Sequence, residues 1–348
     1  ATKAEGEDTP GMTIAPGEST ATEEAPLDLA TQGAVAIQGR SPWQIVWGRL
    51  KRDKVTMVAM FASALALVVA AVVPALKALG WIDPISNHPD LVQGIGSMPE
   101  GPLGGVSSQH WFGVEPGTGR DLFSLILAGI TTSITVAVLA TLFAVVLGTT
   151  LGIIAGFSRG RVDWFISRFI DLVLSFPVIL MLLSLAPVMV SRMASVMGMG
   201  DAEPGPKIAF MVIVLGFFGF PFFARIIRGQ VLSLREREFV EAAKSLGARP
   251  FRIYFKELLP HLWAPILVYT TLVMPQNIAA EATLGFLGVG LNPPTASLGA
   301  ILNDSVNYAL PDPAYFIFPG MTVFLLVLSF NLFGDGLRDA LDPKADRS

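Results

Sequence analysis

The sequence predicts an all-α, polytopic membrane protein with six transmembrane helices, and three observations predict it. Apolar residues make up 52% of the 348 residues and charged residues only 15%, whereas a soluble domain carries about 25% charged residues. The mean hydropathy is +0.59, so lipid must be part of the solvent. Six uncharged apolar runs lie near the ~20 residues needed to cross ~30 Å of hydrocarbon. Lys and Arg are distributed unevenly around those runs. With a cytoplasmic N-terminus, 20 of the 24 basic residues fall in cytoplasmic parts, and the excess of cations marks that side. The expected topology is therefore N-in, C-in.

Residues 1–50 read as a disordered cytoplasmic tail. Glu5, Glu7, Asp8, Glu18, Glu23, Glu24 and Asp28 face Lys3 alone before residue 30, and no apolar period runs through residues 1–40. Such a stretch buries too little to offset its ordering entropy. It lacks the basic region and immediate apolar core of a signal peptide. Residues 51–129 read as the first span, Val55–Leu76, and a long extracytoplasmic loop rich in Gly and Pro. Trp81 and Trp111 lie in that loop, and Asp121–Leu127 reads as a small element on the membrane surface.

The core is expected over 130–335, with spans at Ile130–Phe157, Leu172–Ser191, Ile208–Ala224, Leu262–Ala280 and Ala314–Gly334. Residues 336–348 read as a cytoplasmic tail. Ile208–Ala224 is the shortest run and can extend past Arg225 by snorkelling. Leu262–Ala280 holds Pro265, Pro275, Gln276 and Asn277, which argue against a straight, lipid-facing helix. Gly148, Gly152 and Gly156 recur every four residues, the spacing that lets two helices approach closely. It does not say which helix is the partner.

Several functions are excluded or disfavoured. There are no cysteines, hence no disulfide, thiol nucleophile or thiolate metal site. No basic patch interleaved with aromatics suggests nucleic acid. The six runs hold no acid, His or Lys, which counts against an ion-coupled secondary transporter. No carboxylate pair or nucleophile–base set suggests an enzyme. His88, His110 and His261 lack the clustered partners of a metal site, and no metal is expected. Met181, Met189, Met193, Met197 and Met199 read as core or subunit packing. Glu281 either lines the outer end of a pathway or anchors at the interface. Asp171 is expected to pair with Arg168.

The loop 225–261 is the largest cytoplasmic piece. Phe239, Ala242, Ala243 and Leu246 recur at helical spacing. Gly247 then suits a left-handed C-cap, and Pro250 suits the first turn of a second helix. That helix has its own stripe, Phe251, Tyr254, Phe255, Leu258 and Leu259.

Glu241-Ala-Ala-Lys-Ser-Leu-Gly247, followed by Ile253 and Leu259-Pro260, resembles the EAA motif of ABC importer permeases. Asp171-Leu-Val-Leu-Ser-Phe-Pro177, Glu281-Ala-Thr-Leu-Gly-Phe-Leu-Gly-Val-Gly-Leu-Asn-Pro293 and Phe330-Asn-Leu-Phe-Gly-Asp-Gly-Leu-Arg-Asp-Ala-Leu-Asp-Pro343 resemble further signatures of the dipeptide, oligopeptide and nickel permeases. The likeness runs from about Trp111 to Pro343 and is nearest to the C-type peptide permease. The loop 112–121 departs from the family pattern at Val114 and Glu115 but keeps Gly119-Arg-Asp121.

This resemblance implies a type I ABC importer permease in a bacterial cytoplasmic membrane, forming half of a pathway for di- or oligopeptides. Nickel or another small solute is the alternative cargo. It implies a second homologous permease, two ATPase subunits or domains, and an extracytoplasmic substrate-binding protein as partners. ATP and Mg would be bound on the ATPases, since this chain has no Gly-x-x-x-x-Gly-Lys-Ser/Thr phosphate loop and needs no cofactor of its own. Glu241, Ala242, Ala243, Ser245, Leu246 and Gly247 are the expected contact with the ATPase. Phe176, Pro177, Asn277 and Glu281 are candidates for the path, and Gly119, Arg120 and Asp121 for docking of the binding protein.

Overall fold

A computed structural model of the chain describes residues 42–94, 96–200, 203–291 and 295–342. The expectation of a disordered tail over 1–41 lies outside them, as do Asn292, Pro293 and Pro343 of the motifs. Ten helices are present among the described residues: α1 Pro42–Leu50, α2 Lys54–Ala78, α3 Leu122–Phe157, α4 Arg161–Leu174 and α5 Val178–Met197, then α6 Pro204–Leu234, α7 Glu238–Ser245, α8 Pro250–Phe286, α9 Leu298–Ser305 and α10 Pro313–Leu341. Six of them, α2, α3, α5, α6, α8 and α10, are long and apolar enough to cross a membrane.

The helices depart from the expected boundaries for local reasons. Pro42–Leu50 is helical, so the part of the expected tail after residue 41 is a packed element. Asp121–Leu127 is not a separate surface element. Asp121 caps α3 by accepting from Ser124 N at 2.8 Å, and Leu122, Leu125 and Ile126 are buried. The expected span Leu172–Ser191 is broken at Ser175–Pro177, because Pro177 disfavours a helical conformation at Phe176. Its first part belongs to α4 and its remainder to α5. The fifth span is one helix despite Pro265 and Pro275, with a wide π-type turn at Ile253–Leu258. Residues 336–341 continue α10 and are not a tail.

The pairing of α3 with α6 is the spine of the bundle. A Cβ on Gly148 would lie 2.7 Å from Phe223 Cβ, and one on Gly152 would lie 2.8 Å from the Ala224 carbonyl oxygen. At Gly156 it would lie 2.7 Å from Val231 Cβ. The partner of the glycine ladder is thus α6. Gly216 returns the fit from the other side, against Phe143 and the Ala140 carbonyl. Val136, Ala140, Phe210, Met211, Phe220 and Ala224 form the buried heart of this seam. Met181, Met189 and Met193 pack beside it, while Met197 and Met199 are exposed.

Helix α10 lies against α2 and α8. Gly336 faces Thr56 so closely that any side chain there would collide with it. Asp53 caps α2 through Val55 N at 2.9 Å and also holds Thr56. This packing gives a physical reason for the glycine in the C-terminal signature.

At the end of the bundle that carries residues 79–121, a Gly-rich segment folds over the helices. It contains a short antiparallel hairpin, Val92–Gln93 with Met98–Pro99. The other end carries α1, α4, α7 and most of the basic residues, and is called the basic end below.

Candidate functional site

The loop between α6 and α8 forms the helix, glycine turn and second helix expected of it. Helix α7 spans Glu238–Ser245. Gly247 has φ +76°, a left-handed conformation that a side chain would strain. The C-terminal end of α7 is closed by backbone bonds, with Leu246 N donating to Ala242 O at 3.0 Å and Ala248 N to Ala243 O at 3.0 Å.

The two faces of α7 differ in kind. Val240 is fully buried, and Phe239 and Ala243 pack with it against Ile153, Ile227, Val231, Ile253, Leu258 and Leu262. These residues belong to α3, α6 and α8, so the base of α7 is fixed to three spans. Polar ties reinforce it. Arg235 donates to Gly156 O at 3.0 Å, and Lys244 sits 5.1 Å over the Phe157 ring. His261 stacks on Phe239 with ring centroids 4.5 Å apart.

The outer face holds Glu241, Ala242, Ser245, Leu246 and Gly247, all exposed. Leu246 is 88% exposed, the least covered large side chain of the loop. The predicted apolar stripe is therefore split. Phe239 and Ala243 face inward, while Ala242 and Leu246 face outward. Ala243 is half-buried within its own chain, so a bulky residue there would disturb the loop itself, whereas Ala242 and Leu246 are free to meet another surface. A cleft of about 680 Å³ opens beside α7, lined by Leu234, Glu236, Arg237, Glu238, Phe239 and His261.

Charged pairs join α4 to α6 at the same end. Arg228 holds Asp163 with two bonds of 2.7 and 2.9 Å. Asp171 pairs with Arg168 at 3.3 Å, as expected, and also with Arg225 at 2.6 Å, which the sequence did not suggest. The Arg228 hydrogen bonds hold the Asp163 carboxyl below its ordinary value of 3.8, against a smaller opposing effect of burial. A carboxylate with a depressed folded value stabilises above its unfolded value and loses that contribution as pH falls through the folded one. Asp163→Asn is expected to flatten the acid side of the stability profile below about pH 4, read as the unfolding midpoint against pH in detergent.

The path candidates separate. Phe176 and Pro177 are exposed at the break between α4 and α5. Asn277 and Glu281 lie one turn apart on α8 and are buried inside this subunit. Asn277 donates to Thr141 at 2.9 Å, and Glu281 accepts from Ser133, both on α3. Glu281, expected either to line the outer end of a pathway or to anchor at the interface, is fully covered by the helices of its own chain. Just beyond it, Gly285 and Gly299 bring α8 and α9 into near-backbone contact, each blocking a Cβ on the other at 2.9 Å.

At the opposite end Gly119, Arg120 and Asp121 are turned inward. Gly119 backs onto the His88 carbonyl. Asp121 caps α3 and meets His110 Nδ1 at 3.0 Å. The His88 and His110 rings stand 5.6 Å apart. Arg120 binds Glu115 with bonds of 2.6 and 2.7 Å, and Thr118 and Tyr315 also donate to Glu115, Tyr315 at 2.9 Å. Glu115, one of the two departures from the family pattern, is thus the counter-ion of Arg120. Burial would lower the Arg120 pKa, but the hydrogen bonds and charge of Glu115 hold it above its ordinary value. The group forms one wall of an open cleft of about 760 Å³.

The Glu115 and Arg120 side chains are 6% and 12% exposed. Removing one partner of a buried pair strands the other charge. Glu115→Leu is expected to cost about 3 kcal/mol, with much of it recovered in Glu115→Leu/Arg120→Met. Thermal unfolding of the purified chain checks this, and an undiminished Glu115→Leu would contradict the pairing.

Residues 148–347 match the family described as binding-protein-dependent transport system inner membrane component. The chain is 40% identical over 309 residues to the glutathione transport system permease protein GsiD of Salmonella paratyphi A, covering 88% of this chain and 92% of that one. It is 36% identical over 304 residues to the dipeptide transport system permease protein DppC of Alkalihalophilus pseudofirmus, covering 87% and 90%. The inward-facing MetNI methionine ABC transporter superposes with a TM-score of 0.49 at 19% identity, over 63% of this chain and 96% of that one.

Proposed function

We infer the function from one premise: this chain belongs to the binding-protein-dependent transport system inner membrane components and is a permease subunit of an ABC importer. It is a multi-pass membrane protein. Its cargo is a di- or oligopeptide, a class that includes the tripeptide glutathione. The names of the relatives at 40% and 36% identity support that reading. The chain supplies half of the path, and a second homologous permease supplies the other half.

Helix α7 is the contact with an ATPase subunit, where ATP and Mg are bound. The observation that carries this is the two-faced burial of α7. A helix bolted to α3, α6 and α8 through Val240, yet exposing Leu246, transmits a push without absorbing it. Transmission of this kind needs packed elements with discrete arrangements. The basic end, with α1 and the last turn of α10, faces the cytoplasm of a bacterium, as the excess of Lys and Arg supports. The loop 79–121 then faces the substrate-binding protein. Gly119, Arg120 and Asp121 shape that surface from beneath, and exposed residues such as Trp81 and Trp111 supply its contacts. Phe176 and Pro177, exposed beside α5, are the path candidates that remain at a free surface.

The test is uptake. Cells whose endogenous peptide importers are deleted receive this chain with its partner subunits. Labelled dipeptide or glutathione should accumulate only with ATP and the binding protein. Accumulation of a nickel chelate with no peptide uptake would overturn the peptide reading and leave the permease assignment standing.

A further inference from the structure

Helix α1 and the turn after it carry groups to which the transport reading gives no role. Val46 and Leu50, one turn apart, are buried against Leu337 and Ala340 at the end of α10. Arg49 fastens the helix there, donating to Ala340 O at 3.1 Å and Asp342 O at 2.8 Å. Trp43 and Trp47, also one turn apart, flank this buried pair at the edge of the same face and are 56% and 44% exposed. Trp43 packs on Trp263 of α8 with ring centroids 4.9 Å apart. Helix α1 therefore lies across the ends of α8 and α10 and presents three indoles on one surface.

The residues that follow are basic. Lys51, Arg52 and Lys54 are all exposed, and Lys51 Nζ lies 5.2 Å over the Trp47 ring. Asp53 caps α2, and Asp53 and Asp339 line a cleft with Arg49 and Thr56 that none of the three cations borders. The depth is fixed by covalent geometry. Only three residues separate the end of α1 from Lys54, where the span α2 begins, and the surface beneath α1 is the last turn of the span α10. This is where spans leave the hydrocarbon. Indoles favour that layer, and cations there meet lipid phosphates.

We propose that α1 and the turn after it form a docking site for anionic phospholipid headgroups. Trp43, Trp47 and Trp263 settle at the level of the acyl ester groups, and Lys51, Arg52 and Lys54 hold the phosphates. A neutral interfacial anchor would need the indoles alone. The three cations beside them, which form no ion pair among the described residues, give the site its preference for negative charge.

The test uses the full chain with its partner subunits in nanodiscs of phosphatidylcholine, with or without phosphatidylglycerol. Replacing Trp81, Trp111 and Trp164 by Phe, in complexes whose other subunits carry Phe for every Trp, leaves emission from the three indoles at the site. Lipid brominated near the top of its acyl chains should quench that emission strongly, and aqueous acrylamide only weakly. Lys51→Gln/Arg52→Gln/Lys54→Gln should reduce retained phosphatidylglycerol on the order of a hundredfold relative to phosphatidylcholine. Strong quenching by acrylamide would overturn the proposal. So would protection that appears only when the ATPase subunits are present, because a protein would then cover the face. Equal phosphatidylglycerol retention in the variant would overturn the charge preference. If the triple variant fails to insert, lipid retention and quenching with the native cations decide.

Discussion

Gly152→Leu is expected to leave little folded protein in the membrane. The Cβ alone would stand 2.8 Å from both the Ala224 carbonyl oxygen and Ile227 Cβ. One is backbone and the other a branched, fully buried side chain, so neither can swing aside. The helices must separate, and α3 and α6 form the most extensive pairing in the bundle. Overpacking of a tight core costs roughly 1–3 kcal/mol and occasionally more. Here the cost should reach about 3 kcal/mol or above, because separation at Gly152 also strips contact from Gly148 and Gly156 one turn away on either side. Gly229→Leu is the control. It lies on α6, where a Cβ meets nothing within 4 Å, and should insert and unfold as the native chain does. Thermal unfolding in mild detergent separates the two. Equal midpoints for Gly152→Leu and the native chain would show that α3 does not seat on α6 in this way.

Leu246→Asp and Ala242→Arg are expected to abolish transport while the protein inserts and unfolds normally. Both residues are exposed on α7, so neither change disturbs packing within the chain. At a contact with an ATPase subunit the effect differs. Burying a Leu side chain contributes about 1.5–3 kcal/mol, and an unpaired charge in its place adds a desolvation cost. At 1.4 kcal/mol per tenfold, the affinity should fall on the order of a hundredfold or more. The measurement is co-purification of ATPase subunits through a C-terminal tag, alongside peptide uptake. Native recovery and uptake by both variants would remove α7 from the contact. These substitutions read the contact more cleanly than Ala243→Trp or Gly247→Pro. Ala243 packs inside the loop, and proline cannot adopt the φ of +76° found at Gly247.

Glu281 shows where sequence reading stops. Its apolar flanks marked it as unusual, and two roles suggested themselves. The side chain is buried and accepts from Ser133 of α3, 148 positions away, a partner that its neighbours in the chain do not name. Arg120 is a similar case. Its neighbour Glu115 looked like a departure from a family pattern, yet it is the group that pairs with Arg120 and is reached by Tyr315, 200 positions further on. The helical spacing in α7 was legible, and so was the glycine that ends it. Which half of the apolar stripe faces outward was not.

Six spans, the glycine turn after α7 and the close approach encoded by Gly148, Gly152 and Gly156 are all legible along the chain. These follow from local quantities: apolar transfer summed along a run, the φ a residue tolerates, and the missing side chain of glycine. The tertiary structure alone decided that the glycine ladder meets α6, that Pro177 divides the third run into two helices, and that Asn277, Glu281 and Arg120 turn inward. A helix in lipid is apolar on every side, so its pattern carries little record of which face is buried. That choice is made by shape and hydrogen bonding between segments far apart in the chain.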